Sequence, residues 1–314
     1  MAQRIDNRTR RREPSQRNAS FTAFGLAAEA QALSPGLYVV ATPIGNLRDV
    51  SFRALSTLAA ADAVLAEDTR VTKTLLAHYG ITTPLVAYHE HSNDAVRERM
   101  VHRIREGQAL ALVSDAGTPL VSDPGYKLVQ AAIEEGLPVT PIPGPSAVLT
   151  ALVVSGLPTD RFFFEGFLPP KSAARKTRLG EIAAIPGTLM LFEAPHRLPE
   201  MLTDAAAILG ERQAVVAREL TKLFETIRRG TLPELAQTFA EEGPPKGEIV
   251  VLIGEATKAM HAAVADAALD GQLETALKSH SIKDAATLVA AELDLPRREV
   301  YARALLLAKG KSAE

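Results

Sequence analysis

The sequence predicts an α/β protein of two domains: a mainly parallel N-terminal sheet and a mixed C-terminal sheet, followed by a small helical extension. Three observations carry this. From residue 37 to 156, short apolar runs alternate with helix-length amphipathic segments, the rhythm of βαβ units. From 157 to 255, strand-like runs outnumber helical ones, which points to a mixed sheet. A chain of 314 residues with 46% hydrophobic content is long enough for two ordinary domains, at roughly 100–200 residues each.

Residues 1–35 stand apart as an Arg-rich extension expected to be disordered. Arg4, Arg8, Arg10, Arg11, Arg12 and Arg17 crowd a stretch with few large apolar side chains. Such a segment would attract phosphate without reading a sequence. The N-terminal domain spans 36–156. Leu37–Ala41 is a buried strand, and Ser51–Ala60 a helix that Asp49 or Ser51 can cap. Ala63–Ala66 is a strand, Val71–Tyr79 a helix stopped by Gly80, and Leu85–Tyr88 a third strand. Asp94–Glu106 is a helix, Ala109–Val113 a strand, Tyr126–Glu135 a helix, Val139–Ile142 a strand and Ser146–Ser155 a helix closed by Gly156.

The second domain spans 157–255. Its strands are Phe162–Phe167, Thr188–Glu193, Ala214–Leu220, Glu225–Thr231 and Glu248–Ile253. Its helices are Lys171–Ala183, Leu198–Leu209 and Pro233–Glu241, the last with proline near its start. In 256–314, Asp284–Leu293 and Arg297–Leu307 are two helices split by a tight turn. That pattern suits either a helix-turn-helix-like unit or a small packing domain.

Composition excludes several chemistries. The chain has no cysteine, so disulfides, thiolate metal sites and cysteine nucleophiles are out. No apolar run approaches the length of a membrane span, and the Arg-rich start lacks the apolar core of a secretory signal, so a cytoplasmic enzyme is expected. The net charge of −2 gives no bulk preference for nucleic acid, although a local basic patch would suffice for binding. His89 and His91 flank Glu90, but two histidines on alternate residues are weak ground for a metal, and none is expected.

In open α/β sheets ligands bind beyond the carboxyl ends of the strands. Four segments fall there: Thr42–Asn46, Glu67–Arg70, Ser114–Pro119 and Pro143–Ala147. All mix small, polar, Gly and Pro residues, which let a ligand approach the backbone. The dinucleotide and P-loop fingerprints are absent. Carboxylates at these strand ends suit a ligand with positive charge or ribose hydroxyls.

The segments ATPIGNLRD (41–49), EDTR (67–70), SDAGTPLVSDPG (114–125) and PIPGPSA (141–147) resemble the tetrapyrrole (corrin/porphyrin) methylases. FFFEGFLP (162–169), FEAPHR (192–197), RELTKLFE (218–225) and KGEIVVLIG (246–254) narrow the resemblance to the members that methylate small-subunit ribosomal RNA. The resemblance implies a two-domain methylase fold and S-adenosylmethionine as cofactor, held between the domains. It also implies a homodimer and 2′-O-methylation of a cytidine in the decoding region of 16S rRNA, with the 30S subunit as partner. A tetrapyrrole C-methyltransferase is the alternative, since fold alone does not set function. The chain departs from the pattern in its N-terminal extension and in Ala194, where a serine is usual.

Carried over residue by residue, the resemblance assigns the cofactor to Pro43, Gly45, Asp115, Gly117, Thr118, Pro143, Gly144, Ser146 and Ala147. Catalytic candidates are Glu67, Asp68, Arg70, Glu193 and Lys222, with Glu193 or Glu219 as proton acceptor and Lys222 stabilising an alkoxide. RNA-binding candidates are Lys171, Arg175, Lys176, Arg178, His196 and Arg197, with Phe162–Phe164 nearby as a possible stacking platform. For each charged candidate a plain salt bridge is an equal alternative.

Overall fold

The computed structural model describes residues 19–89, 93–256, 269–293 and 295–310. They fall into two compact units. The first runs to Gly156 and also takes Val216–Arg228 and Gly247–Val250; the second holds the remainder.

The first unit is built on a five-stranded sheet. Its strands are β3 (Gly36–Val40), β4 (Ala63–Ala66), β5 (Leu85–Ala87), β6 (Ala109–Leu112) and β7 (Val139–Ile142), in the order β5-β4-β6-β3-β7. Every neighbouring pair is parallel. The helices are α1 (Phe52–Ala60), α2 (Thr69–His78), α3 (Asp94–Arg105), α4 (Tyr126–Glu134) and α5 (Ala147–Ser155).

Strand alternation sends successive side chains to opposite faces. Tyr38, Val40, Val64, Ala66 and Ala111 join one core with Leu55 and Leu58 of α1 and Leu75 and Leu76 of α2. Leu37, Ala63, Leu65, Leu110 and Leu112 join the other with Met100 and Ile104 of α3 and Leu128 of α4. The sheet is therefore covered on both faces, which explains why its strands read as continuous apolar runs. Helix starts are fixed locally: the Ser51 hydroxyl accepts from Ala54 N–H at 3.1 Å, and Asn93 Oδ1 accepts from Val96 N–H at 3.0 Å.

One expectation needs correction. Residues 1–18 lie outside the described residues, but the rest of the extension is not irregular. β1 (Ser20–Ala23) and β2 (Leu26–Glu29) form an antiparallel hairpin. Phe21 is buried in the α1–α2 core, and Thr22 N–H donates to Tyr79 O at 2.8 Å. A single buried aromatic side chain, too little to show as a pattern, supplies the anchor.

The other large sheet is mixed and five-stranded, of order β11-β10-β12-β9-β8, with residues of β10, β11 and β12 divided between the two units. The strands are β8 (Phe162–Phe167), β9 (Thr188–Glu193), β10 (Gln213–Arg218), β11 (Thr226–Thr231) and β12 (Ile249–Ile253). β8 and β9 are parallel, with a register shift between Phe164 and Gly166. The helices are α6 (Ser172–Ile182), α7 (Leu198–Leu209) and α8 (Leu232–Glu242). Thr231 and Glu234 form a reciprocal cap at the start of α8.

Residues 269–276 are helical, and helices Ile282–Glu292 and Arg297–Gly310 follow. They share a small core of Leu273, Val289 and Val300 with Ala285, Ala286 and Ala304. Arg303 pairs with Asp270 through two contacts of 2.6 Å. Among the described residues, no helix is long and apolar enough to cross a membrane.

Candidate functional site

In the first unit, the loops after β3, β6 and β7 are sewn together at the carboxyl edge of the sheet. Thr42 N–H donates to Gly117 O at 2.8 Å, and Gly117 N–H donates to Thr42 O at 3.0 Å. The Thr42 hydroxyl donates to Ser114 O, and the Thr118 hydroxyl to Pro145 O, both at 3.2 Å. Two glycines make this fit. Gly117 takes a φ of +78°, and a Cβ on Gly144 would stand 3.1 Å from the Ala41 Cβ. The Ser146 hydroxyl caps α5 by accepting from Leu149 N–H at 3.4 Å.

Beside these loops lies a cleft of about 370 Å³, within the usual size for a small-molecule site. Its walls are Thr42–Gly45, Ser114–Ala116, the α2 residues Val71, Thr72 and Leu75, and Lys222 with Glu248. Of the predicted cofactor residues, Pro43, Gly45 and Asp115 line it. Gly117, Thr118, Pro143, Gly144, Ser146 and Ala147 belong to the loops and helix start that shape it. Ser114, which opens one of the predicted ligand-edge segments, lines it as well; Thr72 and Glu248 also line it and were not singled out from the sequence.

Lys222 sits on the wall between two carboxylates. Its Nζ lies 2.9 Å from Glu219 Oε1 and 3.1 Å from Glu248 Oε2. The turn that presents it is tight: Glu219 and Thr221 have φ of +54° and +67°. Burial works against the ammonium, but the two carboxylates outweigh it and raise the Lys222 pKa above its ordinary value. Glu219 is shifted the opposite way, chiefly by the bond from Lys222 and also by Glu248 N–H, so it is a poor proton acceptor. The Lys222 stem lies against Gly45, where a Cβ at residue 45 would collide with it.

The Glu67–Arg70 segment is pinned to the cleft edge, since Asp68 N–H donates to Asp115 Oδ1 at 2.9 Å. Asp68 caps α2 and holds Arg70 with two prongs, Nε to Oδ1 at 3.0 Å and Nη2 to Oδ2 at 2.6 Å. Arg70 keeps the Asp68 carboxyl down at about 2. Asp68 is therefore a helix cap and an arginine anchor rather than a base. Asp123, in the loop after β6, behaves in the opposite way. Burial first, then the Glu67 and Asp115 charges, push it up to about 6 against the Ser114 hydroxyl.

The other predicted residues belong to the second unit. Glu193 ends β9 and is buried; burial raises its pKa, partly offset by Ala194 N–H and Arg197. Its Oε1 accepts from Ala194 N–H at 2.8 Å, and its Oε2 has no hydrogen-bond partner among the described residues. Arg197 lies 3.1 Å from Glu193 Oε1 and donates to Leu168 O at 2.7 Å, while His196 is exposed.

The basic patch on α6 is corrected. Arg175 is not on the surface: it is 1% exposed, with Nε donating to Asp204 Oδ2 at 2.7 Å, so it ties α6 to α7 and is withdrawn from RNA contact. Arg178 is bound by Glu165 at 2.6 and 2.8 Å and by Glu181 at 2.8 Å. Lys171 and Lys176 remain exposed. Of the predicted platform, Phe164 packs edge-on against Phe192 and is part-buried, whereas Phe162 is exposed. Of the histidine cluster, Glu90 and His91 lie outside the described residues. Among the described residues, no group of three or more His, Asp or Glu is placed to hold a metal.

Residues 36–236 match the family described as Tetrapyrrole (Corrin/Porphyrin) Methylases, and residues 263–308 match the RsmI C-terminal HTH domain. The chain is 56% identical over 228 residues to "Ribosomal RNA small subunit methyltransferase I" of Mesorhizobium japonicum, covering 72% of this chain and 78% of that one. It is 50% identical over 272 residues to the protein of the same name from Xylella fastidiosa, covering 85% of this chain and 98% of that one. A uroporphyrin-III C-methyltransferase from Thermus thermophilus, solved with S-adenosyl homocysteine, superposes with a TM-score of 0.50 at 19% identity. It covers 70% of this chain and 98% of that one, and shows likeness of fold.

Proposed function

The chain belongs to the tetrapyrrole (corrin/porphyrin) methylases and, within them, to the ribosomal RNA small subunit methyltransferase I family, and on that premise we propose that it methylates a cytidine 2′-oxygen in the decoding region of 16S rRNA. It is an S-adenosylmethionine-dependent rRNA methyltransferase. The finer reading specifies the ribose 2′-oxygen, the 30S subunit as the form of substrate, a cytoplasmic location and a homodimer. The observation that carries it is the cleft at the sheet edge: its walls fall within the family match, Glu248 apart, and Lys222 stands on one of them as a fixed cation.

The residues present fit the cofactor. Gly45, Gly117 and Gly144 let the backbone come close, and the Asp115 carboxylate suits ribose hydroxyls or a positive charge. Pro43, Gly45 and Asp115 would hold it, with Thr118, Pro143, Ser146 and Ala147 shaping the floor. When bound, it supplies an activated methyl on a sulfonium. What the chain then adds is alignment and electrostatics. A ribose hydroxyl is a poor nucleophile until its proton departs. Lys222, kept charged by Glu219 and Glu248, lowers the energy of the oxyanion that forms. Of the two predicted acceptors, Glu193 has the raised pKa that a base requires, whereas Glu219 does not.

The test is incubation with methyl-labelled S-adenosylmethionine and undermethylated 30S subunits, followed by nuclease digestion and mass spectrometry. Label on a ribose 2′-oxygen of a 16S cytidine is the expected result. Cofactor binding without RNA label would sink the proposal and bring forward a tetrapyrrole substrate, which the solved uroporphyrin-III enzyme shares in fold.

A further inference from the structure

The hairpin β1–β2 lies outside the family match, which begins at residue 36. Its two-residue turn, Phe24-Gly25, has φ of +54° and +77°, the pattern of a type I′ turn. Asparagine or aspartate is the usual first residue there, because a bulky side chain at positive φ is strained. This chain places a phenylalanine at the tip and leaves it 85% exposed. Beside it, Phe52 at the start of α1 is 62% exposed, with ring centroids 6.1 Å apart and planes tilted by 57°. Both solvation and backbone strain oppose that arrangement.

Near Phe52 in sequence the balance of charge is positive, Arg48 and Arg53 against Asp49. Arg48 and Arg53 are exposed, and among the described residues no carboxylate pairs with either. The segment entering the hairpin carries six arginines against Asp6 and Glu13. The hairpin is also tied to the cleft wall. Thr22 N–H donates to Tyr79 O, the Tyr79 hydroxyl donates to Leu47 O at 2.6 Å, and Leu47 lines the cleft.

We propose that Phe24 and Phe52, flanked by Arg48 and Arg53, form a stacking platform for unpaired bases of the RNA substrate, next to the cleft. Aromatic faces beside arginines are the chemistry by which single-stranded RNA is held, through base stacking and phosphate attraction. A purely apolar partner would not need the arginines, and a purely electrostatic contact would not need two exposed rings. The inference rests on the ribosomal-RNA reading above and adds a place where nucleotides flanking the target are gripped.

The test uses the full chain. It contains no tryptophan, so Phe24→Trp installs a single indole at the hairpin tip. Its emission is read during titration with a single-stranded oligoribonucleotide, the same sequence as a duplex, and heparin as a polyanion without bases. Quenching by the single strand, and not by heparin, is the expected result. In parallel, Phe24→Ala, Phe52→Ala and Phe24→Asn, the last relieving the turn strain, are compared for affinity to the single strand. Each is expected to bind roughly ten-fold more weakly, with unchanged cofactor affinity by calorimetry.

Equal quenching by heparin or by the duplex, or unchanged affinity in all three variants, would overturn the platform. The wild-type methylation assay separates the two readings. Label on 16S rRNA together with unaltered affinity in the variants rejects the platform alone, whereas no label rejects the functional reading beneath it.

Discussion

At the scale of single residues, the cleft is set by charges that its neighbours hold in fixed states. Lys222 stays an ammonium because Glu219 and Glu248 bracket it. Lys222→Met should lower kcat for rRNA methylation by roughly a hundred-fold, with cofactor affinity changed far less; calorimetry and a methyl-transfer assay read the two separately. Asp123 makes a different prediction. Its folded pKa of about 6 lies above the ordinary carboxylate value, so the folded state favours the protonated form. Its contribution is complete below pH 4 and is lost as pH rises through about 6. Asp123→Asn should therefore melt above wild type at pH 8, with the difference closing toward pH 4; a difference independent of pH would reject this account. Pro43, Gly45 and Asp115, which line the cleft, were legible because they follow strands in order, while the other six expected cofactor residues shape the loops beside it. Thr72 and Glu248 were hidden, since one is set by a helix face and the other arrives from far along the chain.

At the scale of elements, the strands and helices read between residues 36 and 293 were legible to within a residue or two, because runs, caps and terminal glycines are local signals; the last helix runs three residues past the expected Leu307, and the helix at 269–276 was not bounded. The α6 helix shows where local signals stop. Lys171, Arg175, Lys176 and Arg178 read as one basic face, yet Arg175 is buried on Asp204 of α7, and nothing within α6 reveals it. Arg175→Ala removes the buried Asp204 carboxylate's main partner, leaving it Ser172 and Lys176, and should cost about 3 kcal/mol of stability. Replacing both partners, as Arg175→Met with Asp204→Leu, should recover most of that loss. Urea unfolding of the wild type and these two variants measures both. The hairpin was missed for the opposite reason: its anchor is one side chain, Phe21, and one backbone bond to Tyr79.

At the scale of the whole molecule, the C-terminal helices have a core of their own, composed mainly of alanine. A chain ended at residue 256 should keep its affinity for the cofactor while losing affinity for 30S subunits, which calorimetry and filter binding would show; loss of cofactor affinity would mean that the tail supports the fold. The order of strands in the first sheet has a different consequence, in the time the chain takes to be made. β3 is the first strand of that sheet to be synthesised, yet it pairs only with β6 and β7. Its second edge stays open until residue 142 has left the ribosome, about a hundred residues later, or roughly 5–20 s at ordinary rates of synthesis. For that interval one edge of an interior, apolar strand of the sheet lacks its partner. Until then that edge offers its unpaired N–H and C=O groups to any other strand within reach.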